Sequence, residues 1–322
     1  MNRRTFFQAG IAAVTAASAL AAPPPASAFG ITETGLHPCK DTLAFLEFAH
    51  GLGAAGIQAT LSSLDAEYLR RLRARAEALG MYLEVWASLD AMEHVAPAAS
   101  AVGALAIRAV GPGARRYERF ATHQEWKTAE ARARDAIARA IPVAEHSRVP
   151  IALDNHRDRT RDEILLLLKE FGGDYFGVTL DTGNNIALLD DPMEVIERLA
   201  PYAFSTHIKD PGVEEYADGF LLSEAPLGQG MLDFKKVFNV IRAARPKVKF
   251  TVEMITRNPT PVACFTDKYW AAMPDRPGRF LGRTMRLVRE KGKKQRRMDG
   301  LDQAAQVRLE EEDWRACLGY GA

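Results

Sequence analysis

Eight short apolar runs, each followed by a helical pattern, constrain this chain more than any other feature. Gly30-Ile-Thr-Glu33, Ile57-Gln-Ala-Thr60, Leu83-Glu-Val-Trp86, Leu105-Ala-Ile-Arg108, Pro150-Ile-Ala-Leu153, Gly177-Val-Thr-Leu180, Phe204-Ser-Thr-His207 and Phe250-Thr-Val-Glu253 each suit a buried strand. Most begin 22 to 28 residues after the one before. That spacing predicts a (β/α)8 TIM barrel rather than a doubly wound sheet, and no Gly-x-Gly-x-x-Gly follows the first strand to support dinucleotide binding. The intervening helices carry their own boundaries. Thr160-Arg-Asp-Glu163 is a capping box closed by Gly172-Gly173, Asp191-Pro192 opens the helix to Leu199, and Gly80 stops the periodic run Tyr68 to Leu79. Two intervals are longer. A helix from about His123 to His146 fills the first, and a long loop from Pro211 to Gly230 is expected in the second, leaving the seventh strand.

The ends of the chain stand apart from this repeat. Arg3-Arg4 precedes Phe6-Phe7, an Ala-rich apolar run spans Ala9 to Ala22, and Ala26-Ser27-Ala28 offers a small-residue cleavage site. Residues 1–28 therefore read as a twin-arginine export signal, too short and Ala-rich for a membrane span, which places the mature protein in the periplasm. Residues 29–291 form the barrel catalytic domain. Residues 292–322 follow as a basic linker, with Lys293, Lys294, Arg296 and Arg297, and a C-terminal helical extension expected to be a solvated tail. Forty-two Lys and Arg against 41 Asp and Glu leave a formal charge of +1, so no overall field selects nucleic acid or an anionic membrane. Cys39, Cys264 and Cys317 lack metal-type spacing, and Cys39 could bridge Cys264 only if the first and last strands were neighbours.

Chemistry in such a barrel gathers at the C-terminal strand ends. The fifth strand ends in Asp154-Asn-His156, the sixth in Asp181-Thr-Gly-Asn184, the seventh in His207-Ile-Lys209-Asp210 and the eighth in Glu253-Met254. Because side chains alternate along a strand, Asp154 shares a face with His156, and His207 with Lys209. Three carboxylates and one imidazole suit one divalent metal ion, Mn, Mg, Co or Zn, better than a structural zinc site. Arg157 and Arg159, just beyond, are expected to be solvated, and Lys209 has Asp210 as its simplest ion-pair partner.

These strand-end motifs, with the loop Pro226-Leu-Gly228-Gln-Gly230 and Asp233, resemble the sugar phosphate isomerase/epimerase family of xylose-isomerase-like TIM barrels. The resemblance implies Asp154, Asp181, His207 and Glu253 as metal ligands, with Asp154 and Glu253 able to move protons at the substrate. Asp154 departs from the Glu usual there and is one methylene shorter. The implied function is a divalent-metal-dependent sugar isomerase or epimerase, working through a metal-bound enediolate on a free or oxidised sugar. Lys209 would stabilise enolate charge, and His156 would shuttle a proton or orient a ligand. The alternative is a lyase or decarboxylase of a keto-sugar or keto-sugar acid on the same site; a non-catalytic sugar-binding barrel is a further one. A DNA-repair endonuclease on this fold would need more than the seven His present and a basic face. The partner expected is therefore a small sugar substrate, with no nucleic acid, no membrane span, and self-association left open.

Overall fold

The computed structural model describes residues 27–33, 39, 41–111 and 115–321; the export signal lies almost wholly outside them. Seven strands come first: β1 (Phe29–Thr32), β2 (Gly56–Ala59), β3 (Tyr82–Trp86), β4 (Ile107–Ala109), β5 (Ile151–Asp154), β6 (Phe176–Asp181) and β7 (Ala203–His207). A hairpin of β8 (Asp210–Tyr216) and β9 (Gly219–Ala225) follows, then β10 (Phe250–Val252) and β11 (Thr260–Val262). The parallel sheet runs β10-β1-β2-β3-β4-β5-β6-β7. It closes where Ile208 bridges Val252, through Ile208 N–H to Thr251 C=O at 2.8 Å and Glu253 N–H to Ile208 C=O at 3.2 Å. All eight expected strands are present, and the (β/α)8 expectation holds.

The outer ring holds α1 (Thr42–Gly51), α2 (Ala66–Ala78), α3 (Met92–Ala101), the single turn α4 (Arg116–Arg119), α5 (His123–Ser147), α6 (Arg161–Phe171) and α7 (Pro192–Leu199). It continues with α8 (Phe234–Ala244), α9 (Asp267–Ala271), α10 (Gly278–Lys291) and α11 (Gln303–Tyr320). The local signals act as read. Thr160 and Glu163 complete the capping box of α6, Asp191 caps α7 ahead of Pro192, and Gly80 takes φ +65° just past α2. At the floor of the barrel, Gly30 and Gly56 admit the Tyr82 ring, since a Cβ on either would collide with it.

Two expectations are corrected. The segment expected to be a loop from Pro211 is the β8–β9 hairpin, extended by antiparallel β11 into a three-stranded sheet. Alternation supplies the reason: Val213, Phe220, Leu222 and Val262 face a second core with Met285 and Val288 of α10, while the two-residue turn Ala217-Asp218 leads into Gly219 at φ +144°. The C-terminal stretch is likewise no solvated tail. Helix α11 packs in the wall between α1 and α8, with Trp314 against Phe48 at 5.7 Å and Tyr320 against Phe234 at 6.0 Å, and it contacts β1 and β10. It fills the place of the eighth barrel helix. The two arginines of the basic linker are ion-paired, Arg296 with Asp313 and Arg297 with Glu214.

Trp314, at 1% exposure, is among the largest buried side chains. Trp314→Ala is expected to cost about 3–5 kcal/mol, read as a fall in the urea midpoint; an unchanged midpoint would make α11 dispensable to the barrel. The three cysteines are free thiols. Although β1 and β10 are neighbours, Cys264 lies beyond β11 in the second core, so the condition for a bridge to Cys39 does not bring the two thiols together.

Candidate active site

The strand ends converge. Asp154 closes β5, Asp181 closes β6 in register with His207 of β7, and Glu253 follows β10. His207 Nδ1 lies 3.6 Å from Asp154 Oδ2, 3.7 Å from Asp181 Oδ2 and 3.3 Å from Glu253 Oε2, and all four side chains are buried. Asp154, Asp181 and His207 present ligand atoms within 4.8 Å of one another. Asp181 Oδ1 accepts the Gly183 and Asn184 N–H groups at 2.8 Å each, which turns Oδ2 into the mouth.

Lys209 enters the same space because it shares His207's face. Its Nζ is 3.1 Å from Asp181 Oδ2 and in ion-pair contact with Glu253 Oε2. Asp210, on the other face, does not pair with it. Its carboxylate instead accepts N–H groups of Gly228, Gly230 and Leu232, pinning the connection that leads to Asp233, the N-cap of α8. His156 is partly exposed beyond β5, within the electrostatic field of Asp154, Lys209 and Glu253.

Four buried polar atoms converge without a hydrogen bond: Asp154 Oδ1, Asp181 Oδ2, His207 Nδ1 and Glu253 Oε2, one from each strand end. Lys209 is near enough to two of them to form ion pairs, but outside hydrogen-bond geometry. Buried donors and acceptors ordinarily find partners, and three oxygens with one imidazole nitrogen are a donor set that fits a divalent cation. The fields agree with this picture. Burial pushes Glu253 upward, but the His207 and Lys209 charges outweigh it and hold the carboxylate well below its ordinary range. Asp181 is lowered, with burial opposed by Lys209 and His207. Burial opposes protonation of His207, yet Glu253 and Asp181, working against Arg108, raise its imidazole to about 9. For His156, burial outweighs the Asp154 charge and draws the imidazole below its ordinary value.

Several residues around the mouth were not anticipated. Arg108 of β4 donates to Asp154 Oδ2 through Nε at 3.0 Å and Nη2 at 2.5 Å, both atoms of the pair being buried. Trp86, its register partner on β3, stands 5.3 Å from the guanidinium and is 39% exposed. Gln58 of β2 and Glu84 of β3 face the axis below His207. A charged or amide residue within a short apolar strand was the signal available for all three polar positions.

Arg157 and Arg159, expected to be solvated, are buried. Arg157 donates to Thr260 Oγ1 at 2.8 Å and Glu224 Oε1 at 3.1 Å, and Arg159 to Glu130 Oε2 at 2.9 Å. Arg159 also pairs with adjacent Asp158 at 3.2 Å, but Glu224 arrives from β9 and Glu130 from α5, so local sequence showed only part of the pairing. The Arg157 contacts clamp the hairpin sheet over the end of β5.

An eight-stranded barrel whose C-terminal mouth gathers acids, an imidazole and an ammonium defines a class of barrel with a polar, cation-fitting site. The chain belongs to the xylose isomerase-like TIM barrel family, whose profile matches residues 46–273. It is 29% identical over 197 residues to the 3-oxo-isoapionate decarboxylase of Pectobacterium atrosepticum, a match covering 61% of this chain and 69% of that one. Among solved structures, 3-keto-D-glucoside 4-epimerase from E. coli superimposes with a TM-score of 0.56 at 14% identity, covering 75% of this chain and 97% of that one. A xylose isomerase-like TIM barrel protein from Mycobacterium smegmatis, in complex with magnesium, gives 0.52 at 14% identity, covering 76% and 89%. At these identities the two structural likenesses speak for the fold alone. No described helix is long and apolar enough to cross a membrane.

Proposed function

We propose that this chain is a divalent-cation-dependent enzyme that decarboxylates an acidic keto sugar through an enolate, acting in the periplasm after export. The observation that carries this reading is the pair of fixed cations at the mouth. Asp154, Asp181 and Glu253 bring three negative charges, and Arg108 and Lys209 offset two of them. A divalent cation then leaves the site with one net positive charge, which an anionic substrate neutralises and a neutral sugar does not. The likeness to a decarboxylase of an oxo acid supports the same class.

Held by Asp154, Asp181, His207 and Glu253, a divalent cation would supply Lewis acidity toward a keto oxygen and its neighbouring hydroxyl. The chain's own residues do the rest. Arg108 binds Asp154 Oδ2 and leaves only Oδ1 of that carboxylate unpaired toward the mouth. Two-sided proton exchange would need that one oxygen both to hold the cation and to move a proton, whereas decarboxylation of a β-keto acid removes no C–H proton. The bond to the carboxyl carbon breaks, carbon dioxide leaves, and the electron pair moves into the enolate, whose oxygen Lys209 Nζ is placed to stabilise. Protonation of that carbon by water gives the ketone. Trp86 offers an exposed ring at the mouth for the apolar face of the sugar. Isomerisation or epimerisation is the second reading, favoured by Glu253, a buried strand-end carboxylate 3.3 Å from His207 Nδ1 that, unlike Asp154, is not hydrogen-bonded by Arg108.

Incubation of cation-loaded protein with keto-sugar acids and neutral keto sugars in deuterated water separates these chemistries. Carbon dioxide from the acids, with one deuterium in the ketone, is the expected result. Deuterium in recovered sugar without carbon dioxide would replace decarboxylation by isomerisation. Binding with neither outcome would reduce the barrel to a sugar-binding protein.

A further inference from the structure

Below the strand-end acids, the barrel interior is polar where apolar layers ordinarily fill such a core. Gln58 of β2, Glu84 of β3, Ser205 of β7 and Thr251 of β10 meet there, each 2% exposed or less. Their hydrogen bonds form a directed chain. Ser205 Oγ donates to Glu84 Oε2 at 2.6 Å, so it accepts from Gln58 Nε2 at 3.1 Å. The second amide proton of Gln58 goes to Glu84 Oε2 at 3.0 Å. Both protons are thus committed, and the amide turns Oε1 toward His207 Nε2 at 2.7 Å. Thr32 Oγ1, at 3.4 Å, adds a donor on the same oxygen.

A carbonyl oxygen only accepts, so His207 Nε2 must carry the proton. In the neutral imidazole Nδ1 is then left with the lone pair and faces Asp154, Asp181 and Glu253. We propose that Gln58 is a positioning residue: oriented by Glu84 and Ser205, it sets the tautomer and ring plane of His207, so that Nδ1 is the nitrogen offered to a divalent cation. The cation part of this inference rests on the proposed function; the tautomer part does not. Reach across the barrel makes it a tertiary device, since Gln58 and His207 are separated by 149 residues.

Two readouts test it. Nitrogen-15 shifts of His207, followed through an alkaline titration until the imidazole is neutral, report the tautomer in cation-free protein. Calorimetric titration with Mn(II) reports affinity. Wild type is expected to show the Nε2–H form, and Gln58→Met to show mixed tautomers with about 10- to 100-fold weaker Mn(II) binding. Glu84→Gln, which loosens the Gln58 amide without touching His207, is expected to fall between them, and it serves if Gln58→Met does not fold. An Nδ1–H form in wild type would overturn the inference, as would wild-type tautomer and affinity in Gln58→Met. Should wild type bind no Mn(II) yet keep an Nε2–H form that Gln58→Met loses, the positioning role stands and the cation reading falls.

Discussion

Replacing His207 with alanine is expected to lower divalent-cation affinity at least about 100-fold and to abolish turnover while the barrel stays folded. The imidazole is the one nitrogen among the four strand-end atoms without a hydrogen bond and the point from which the three acids are 3.3 to 3.7 Å away. Wild-type affinity should also depend on pH. His207 is raised to about 9, so below that value a cation must displace its proton, and affinity climbs about tenfold per pH unit until it levels above 9. The variant should lose this dependence. The same shift has a stability consequence of defined sign in cation-free protein. Because the folded-state value lies above the ordinary one of about 6.5, the contribution is complete below 6.5 and is lost as pH rises through about 9. Mn(II) titrations across pH 6 to 10, with circular dichroism to follow the fold, measure both; equal affinity in variant and wild type would remove His207 from the site.

Lys209→Met is expected to separate binding from catalysis. Its ammonium lies between Asp181 and Glu253, so it competes with a cation for the same carboxylate oxygens. Removing it should leave cation affinity unchanged or tighter, while kcat falls by about 10²–10³ through loss of a charge facing the developing enolate. A fall in affinity with kcat preserved would make Lys209 a structural counter-charge instead. Its Nζ also reaches Asn184 Oδ1 at 3.3 Å, and Asn184 accepts from Arg157 Nε at the same distance. Loss of Lys209 is therefore felt at the hairpin clamp as well, and thermal unfolding of the variant checks that its fold persists.

The readable parts of this protein are those governed by short-range rules. The capping box at Thr160 and Glu163, the Asp191-Pro192 start and the Gly80 stop act within one helical turn, so neighbours in sequence contained the whole interaction. Strand-end acids were visible because Asp154, Asp181 and Glu253 interrupt apolar runs at the position where a barrel strand meets solvent. Arg108, Gln58 and Glu84 interrupt similar runs, yet only barrel closure reveals that they face the axis and not the helical layer. The β8–β9 hairpin was hidden by the habit of barrels to carry loops there, and the apolar run Phe220-Leu221-Leu222 masks the alternation by which Phe220 and Leu222 face the second core.

By itself the sequence determined the eight barrel strands, the ends of the helices marked by caps and the chemical types at the four strand ends, because periodicity and capping are local interactions. Tertiary structure alone decided which acids are neutralised. Arg108 reaches Asp154 across 46 residues, Arg157 reaches Glu224 across 67, and Gln58 reaches His207 across 149. It also placed α11 in the wall as the eighth helix. Charge balance in a buried site is set by distances of a few ångströms between segments whose separation along the chain carries no electrostatic information.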